Sequence, residues 1–348
     1  MSTHGPSTSP PSRRTVLLSS LAGLAVAGGL GAYQVLRHPR PPRRQPDGQY
    51  RQIKLAWPDA SSAPVLAVAY QKDFFTQYSL DVDITSAPLN GSGALAALAD
   101  GVADFAVAPA LSWLPKLHDG LAANLILGIQ PGVFRLLVRR GAGITRLDQL
   151  LGRTIAIPDQ NIADKLFFSI MMRRKGINAM EGITWRPMPA GDMITAAAAK
   201  TIDAIATHDP FAWQLLGTSN GLFTELVSSN TGHYADRTNM ILGVSSSKLA
   251  ADPDAATAMT LALRDAARWA NAHRTEAATL IAEATAGMNS ASVQDMLSSE
   301  PPIHPVTGHP LREQIAQYYD ELQLIGLLPS EESAADMAHR YTRNVLRG

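Results

Sequence analysis

The chain has 348 residues, 46% of them hydrophobic and 17% charged, enough to bury large cores, and its length suits two or three domain-sized units. Thirty Lys and Arg balance thirty Asp and Glu, so bulk charge disfavours nucleic acid or a charged membrane surface as a partner. There is no cysteine, which excludes disulfides, thiolate metal sites, thiol nucleophiles and a lipid-modified cysteine at a signal junction.

Residues 1–14 are polar, and Ser12-Arg13-Arg14-Thr15-Val16-Leu17-Leu18 then leads into an apolar Leu/Ala/Gly/Val run ending near Ala32. Paired arginines ahead of a weakly hydrophobic core resemble a twin-arginine export signal, here assigned to residues 1–35. A permanent membrane anchor is the competing reading. The run is only about the minimum that spans a bilayer, and Gly23, Gly28, Gly29 and Gly31 make it a poor helix. Ala25-Val26-Ala27 offers a small-residue cleavage site, with an uncleaved tether left open. The stretch 36–51, dense in Pro and Arg, reads as a linker, and the folded body is predicted to begin near Gln52.

The body repeats a phrase at a distance. Leu55-Ala56-Trp57-Pro58-Asp59 is echoed by Ile155-Ala156-Ile157-Pro158-Asp159, and Asp104-Phe105-Ala106-Val107-Ala108 by Asp203-Ala204-Ile205-Ala206-Thr207, at offsets of 100 and 99 residues. A single echo at that spacing is too long for a solenoid and predicts two α/β lobes built alike. In the first lobe, strands are predicted at Ile53–Trp57, Leu80–Ile84 and Asp104–Ala108, with helices from Ala63 to about Tyr78 and after Asn90-Gly91-Ser92-Gly93. This β-α-β-α-β order requires a parallel sheet. Phe134–Val138 is predicted as a strand crossing between lobes. A helical turn at Leu147–Leu151, a strand at Thr154–Ile157, a helix from Ala163 to Lys175 and a strand near Thr184 follow, with Asp192 as a helix cap. Met240–Val244 is the second crossing. Ala-rich helices are then predicted over Pro253–His273, Thr275–Ala286, Ser290–Ser298 and Leu311–Leu322. These boundaries place lobe 1 at 52–138 and 240–348 and lobe 2 at 139–239, joined by a two-strand hinge.

In open parallel sheets ligands sit beyond the carboxyl ends of the strands. That rule selects the loops carrying Trp57 and Asp59, Asn90 to Gly93, Pro109, Ala110 and Trp113, Gln160 and Asn161, and His208 and Asp209. Helix-starting N–H groups behind Gly91-Ser92-Gly93 are donors for an anion, although the same turn serves equally as a helix cap. Trp57 and Trp113 offer flat apolar faces for enclosure, while Trp185 and Trp269 have core spacing. His208 is either a cleft-wall donor or a strand-end residue bonded locally, and Asp209 either meets a ligand amine or caps the helix starting at Phe211. Gln160 and Asn161 could donate or cap; Asp59 and Asp159 read first as turn residues. No nucleophile elbow, HExxH or phosphate loop is present, the nine histidines lack metal spacing, and neither metal nor cofactor is predicted.

Three stretches carry a resemblance: Asn90-Gly91-Ser92-Gly93 through Asp104-Phe105, Leu147-Asp148-Gln149-Leu150-Leu151-Gly152-Arg153-Thr154-Ile155-Ala156, and Asp203 through Phe211. With Gln317–Leu322 and Gly326-Leu327-Leu328-Pro329 at the tail, they resemble the nitrate/sulfonate/taurine (NMT1/THI5-like) class of ABC-transporter substrate-binding proteins. The resemblance implies a two-lobed periplasmic-binding-protein type II fold, capture of a small solute, most readily an anion, and delivery to a membrane permease. It also adds Asn239 to the pocket; a monomer is expected, and the paired Arg13-Arg14 make the twin-arginine translocase the expected partner in export. His208 stands where sulfonate and taurine members usually have Trp, and Asp159-Gln160-Asn161 where they often have Gly-Ser-Asn. Two alternatives remain: an enzyme resembling thiamine-pyrimidine synthesis proteins, whose cysteine-rich signature is missing here, and a membrane-tethered sensor.

Overall fold

The computed structural model describes residues 49–57, 63–86, 91–159, 162–284 and 289–346. The export-signal assignment, most of the linker, and the candidate residues Asp59, Asn90, Gln160 and Asn161 lie outside the described residues. Ten strands form two sheets: β1 (Arg51–Trp57), β2 (Leu80–Ser86), β3 (Phe105–Pro109), β4 (Ala123–Gln130), β5 (Phe134–Arg139), β6 (Thr154–Ile157), β7 (Thr184–Pro187), β8 (Ala204–His208), β9 (Phe223–Ser228) and β10 (Met240–Ser245). Their orders are β2-β1-β3-β10-β4 and β7-β6-β8-β5-β9. In each sheet the first three strands are parallel, and one antiparallel strand, β10 or β5, separates the third from the last. The two lobes are therefore copies of one topology, as the echoed phrase predicts.

Hydrogen bonds explain why that phrase recurs. Asp104 Oδ2 accepts from the Lys54 N–H at 3.1 Å, and the Asp104 N–H donates to Lys54 O at 2.8 Å. One repeat later, Asp203 Oδ2 accepts from the Thr154 N–H at 3.2 Å, and the Asp203 N–H donates to Thr154 O at 2.9 Å. The backbone carbonyls of Asp104 and Asp203 in turn take the N–H groups of Ser245 and Arg139, at 3.0 and 2.8 Å, where β10 and β5 end. One Asp just before the third strand thus ties down the first strand through its carboxylate and N–H, and the inserted strand through its backbone carbonyl. A short side chain with an acceptor oxygen, Asp at both places, reaches the neighbouring strand's N–H without a longer, more mobile chain.

Ten helices of eight residues or more flank the described sheets: α1 (Ala63–Gln71), α2 (Gly91–Ala99), α3 (Ala110–His118), α4 (Ala163–Arg173), α5 (Phe211–Thr218), α6 (Pro253–Ala272), α7 (Arg274–Ala284), α8 (Ser290–Ser299), α9 (Gly308–Leu324) and α10 (Ala334–Tyr341). Helix α6 starts where Asp252 accepts from the Ala255 N–H and Pro253 takes the first turn. It buries Ala255, Met259, Leu263, Ala266 and Ala270, a stripe of mostly small residues at helical spacing, against the first lobe. A second apolar cluster runs without interruption from Trp113 and Leu114 of α3 through Phe167 and Phe168 of α4 to Tyr318 and Tyr319 of α9, so the lobes share a core on that side.

Three expectations change. β5 pairs with β8 and β9, so Phe134–Val138 belongs to the second lobe and the first crossing falls at 131–133 rather than at 138. β4 and β9 were not anticipated from the sequence. β4 is buried over all eight residues, so it shows no alternation to mark it, and in β9 four consecutive half-buried residues, Thr224 to Val227, blur the pattern. The helix expected from Ala63 to Tyr78 ends at Gln71, where Lys72 and a left-handed Asp73 (φ 58°) turn the chain before a single further helical turn.

Candidate functional site

The carboxyl ends of the parallel strands in both lobes point to the two crossing segments, 131–133 and 229–239. These segments are stitched to both edges. The Asn239 N–H donates to Gln130 O at 3.1 Å and the Ala110 N–H to Asn239 O at 2.8 Å on the first lobe. On the second, the Asp209 N–H donates to Val133 O at 3.0 Å and the Ser229 N–H to Phe134 O at 2.9 Å. Ser229 also donates its hydroxyl to Gly132 O at 3.1 Å. Gly132 faces the Asn239 amide so closely that a Cβ there would lie 2.8 Å from Nδ2. Trp57, Pro109, Ala110 and Asn239 are thereby brought to one edge, with His208 and Asp209 on the edge opposite.

Several buried polar atoms at these edges have no hydrogen-bond partner. Trp57, at the end of β1, is 5% exposed and its Nε1–H donates to nothing. Asn239 is 3% exposed, and its Oδ1 accepts from nothing. Across from them, His208 Nδ1 lies 2.8 Å from Asp164 Oδ1, while Asp164 Oδ2, also sealed from solvent, has no donor. Buried polar groups in folded proteins are almost always paired, so a cluster of unpaired ones is a binding signal. Beside them Phe134 stacks on Phe167 at 4.8 Å, Phe167 meets Tyr234 edge-on at 4.9 Å, and His208 stands perpendicular to Phe134 at 6.4 Å. The result is a mixed wall of flat apolar faces and directed polar atoms, the usual composition of a small-molecule site.

Asp209 is not part of that wall. Its carboxylate accepts Arg135 Nε at 2.8 and 2.9 Å and Nη2 at 2.6 Å, and its Oδ1 also takes the Trp213 N–H at 3.1 Å, capping α5. Arg135 continues to Glu225 Oε2 at 2.5 Å and, across the lobe boundary, to Ser299 Oγ at 3.1 Å. Asn230 Nδ2 donates to Ser299 O at 3.1 Å beside it. Burial works against the Arg135 cation, but Asp209 and Glu225 outweigh it and raise its pKa further. Burial also pushes Asp209 upward and the guanidinium opposes this; with three charge-assisted hydrogen bonds the carboxylate is ionised. Glu300, next to this network, is pushed up to about 8 by burial and by Asp209, against Arg135 and Arg274.

Trp113 and Ala110 also leave the candidate wall. The Trp113 ring lies fully buried over Gly243 of β10 and its Nε1–H donates to Ile241 O at 3.0 Å, so it packs the sheet face behind the edge. Ala110 is buried and its N–H is already taken by Asn239 O, which removes it as an anion donor. Ser92 and Gly93 sit half-buried in the first turn of α2, whose first residue is Gly91, and Pro109 is half-buried just before α3. Asp192 occupies the position before the Met193–Ala198 helix without a side-chain cap bond. Trp185 packs as anticipated, donating to Ala179 O at 2.9 Å.

Sequence reasoning missed Asp164, Arg135 and Glu300. Asp164 looked like an ordinary first-turn acid of α4, and only the tertiary pairing with His208 singles it out. Arg135 carried a usable signal: a lone arginine inside the apolar strand Phe134-Arg135-Leu136-Leu137-Val138 must find a buried anion.

The NMT1/THI5-like family model matches residues 61–277. No curated protein matches the sequence. Among solved structures, the nitrate-binding protein NrtA from Synechocystis is 13% identical with a TM-score of 0.69, over 84% of this chain and 86% of that one. The periplasmic aliphatic sulphonate-binding protein SsuA from Escherichia coli is 14% identical with a TM-score of 0.67, over 82% and 91%. The alkanesulfonate-binding SsuA from Xanthomonas axonopodis, bound to MOPS, is 20% identical with a TM-score of 0.65, over 82% and 97%. The chain belongs to the NMT1/THI5-like family and has the two-lobed fold of periplasmic solute-binding proteins.

Proposed function

We propose that the protein is the extracytoplasmic receptor of an ABC importer, binding one small solute between its lobes without transforming it, closing on it, and handing it to a membrane permease. The observation that supports this reading is that the crossing segments bond to both strand-end edges, with Trp57 and Asn239 on one edge, His208 and Asp164 on the other, and buried polar atoms on both without a partner. The first turns of α1, α2 and α3 on the first lobe hold no acidic residue, which supports an anionic group of the nitrate, sulfonate or taurine type on that side. Export as a monomer through the twin-arginine route completes the proposal, from the paired Arg13-Arg14 ahead of the apolar run. Among the described residues no helix is long and apolar enough to cross a membrane.

A thermal-shift screen of nitrate, small sulfonates, amino-sulfonates and pyrimidines, followed by small-angle scattering with the best hit, tests it. A binder should stabilise the fold by roughly 2.7 kcal/mol at a hundredfold excess over its Kd and shrink the radius of gyration. His208→Ala should weaken that binder. A hit that leaves the scattering curve unchanged rejects closure, and a chemically altered solute recovered from the mixture rejects a purely binding role. Mapping the mature N-terminus tests the export assignment.

A further inference from the structure

Resting on the reading of two lobes that move about their crossings, we infer that Glu300 works a proton-operated latch between them: while its carboxyl is neutral the two cross-boundary bonds at Ser299 hold, and ionising it drives the lobes apart. The latch is built from the network that Asp209 anchors, away from the mixed wall. Arg135 Nη2 donates to Ser299 Oγ and Asn230 Nδ2 to Ser299 O, both at 3.1 Å. Arg135 belongs to β5 of the second lobe and Asn230 to a crossing segment, whereas Ser299 ends α8, whose Val293, Met296 and Leu297 are buried in the first-lobe core. Trp213 of α5, 5.5 Å from the Arg135 guanidinium, packs half-buried against that same core.

Each half of the latch is firm within its own lobe. Asp209 and Glu225 hold Arg135 on one side. On the other, Arg274 at the start of α7 donates to Leu297 O, to Glu300 O at 3.1 Å and to Pro301 O at 2.7 Å, fixing the end of α8, and the Ser299 hydroxyl donates to Met296 O at 2.7 Å. The boundary is therefore where the assembly parts, and Glu300 adjoins Ser299 there. Among the described residues the charges facing Glu300 are Asp209 and Arg135 from the second lobe and Arg274 from its own. Arg135 already serves two carboxylates, so an ionised Glu300 is a third and meets Asp209 with like charge. Arg274 and Arg135 offset this only in part, and burial and Asp209 push the Glu300 carboxyl up to about 8. Parting the lobes gives Glu300 to water and returns it towards its ordinary 4.5. The joined form thus holds the proton more tightly: its advantage is complete below about 4.5 and is lost as pH rises through about 8. One proton changes the parting equilibrium by at most about tenfold per pH unit within that window. A solute that needs both lobes then binds more weakly as pH rises, in proportion to the joined fraction.

Small-angle scattering of the exported protein without solute, from about pH 6 to about pH 9, tests this, with far-ultraviolet circular dichroism on the same samples to report unfolding. The radius of gyration of the wild type should rise with pH and level off above about 8 at constant helix content. Glu300→Gln, which keeps the shape without the charge, should stay compact throughout. Ser299→Ala, which removes one of the two cross-boundary bonds, should expand at a lower pH than the wild type. A wild-type radius independent of pH overturns the latch whether or not the variants fold, as does an expansion that Glu300→Gln shares or one accompanied by loss of helix. Compaction by a solute of the screen at constant pH then leaves the receptor reading intact. A radius fixed against both pH and every solute overturns latch and closure together.

Discussion

Replacing Asp209 with Ala removes the anchor of a charge network that spans the lobe boundary. The wild-type carboxylate holds a guanidinium whose side chain is 4% exposed through contacts at 2.8, 2.9 and 2.6 Å, and is itself 1% exposed. Removing one member of such a buried pair leaves the other charged and desolvated, at a cost of about 3–5 kcal/mol. Glu225 still accepts from Nη1 and, being 31% exposed, can follow the guanidinium, which puts the expected loss at the lower end of that range. The lost acceptor for the Trp213 N–H adds to it by up to about 1 kcal/mol, the usual worth of a helix cap. Equilibrium urea denaturation should therefore show Asp209→Ala destabilised by about 3–4 kcal/mol with an unchanged slope. Asp209→Asn keeps the shape and the cap acceptor and should lose about half as much. A loss below about 1 kcal/mol for the Ala variant, or equal losses for both variants, would refute the view that Asp209 is an ionised structural anchor.

A Cβ at Gly243 would lie 2.4 Å from the Trp113 ring, so Gly243→Ala should cost about 1–3 kcal/mol by chemical denaturation; a neutral result would mean Trp113 is free to move. Asp104→Ala should cost about 1 kcal/mol. Asp203→Ala should cost more than its counterpart, because Asp203 also pairs with Arg139 at 3.5 Å and Arg153 at 3.8 Å; the reverse order would break the equivalence argued for the repeat. Glu300 is held above its unfolded value of 4.5, at about 8, so the native state binds the extra proton and stability should fall as pH rises from about 4.5 towards 8. Midpoint scans across that window should steepen for the wild type and flatten for Glu300→Gln; identical slopes would place Glu300 in solvent.

The repeated topology was legible because it rests on local chemistry. Asp104 and Asp203 each tie one strand through the side chain and another through the backbone carbonyl, and the flanking Ala, Ile and Val residues are buried on both sheet faces, so the same words recur at both places. The inserted strands were harder. β5 and β10 read as bridges between lobes because they follow and precede the echoed units, yet each fills the gap between the third and last strands of a sheet whose other members are distant in sequence. Pairing of that kind depends on long-range register, which periodicity cannot report. β4 was invisible for a related reason, since a strand buried on both faces has no polar alternation.

The candidate site was read by place and not by role. The strand-end rule selected Trp57 and His208, and the family resemblance Asn239, as candidates that the structure places at the strand ends beside the crossing segments. It also admitted Trp113, Ala110 and Asp209, whose backbones stand at the right edge while their side chains or N–H groups serve the core, a crossing segment and a buried arginine. What separates the two groups is hydrogen-bond satisfaction. Asp209 has every carboxylate contact filled from within the chain, whereas Asp164, an unremarked acid one helix away, keeps one buried oxygen unfilled beside His208. A fold stable by only about 5–15 kcal/mol does not retain such an atom cheaply. The unpaired acceptor, rather than the most conspicuous charged residue at the strand tip, is therefore the better guide to the chemistry of the guest.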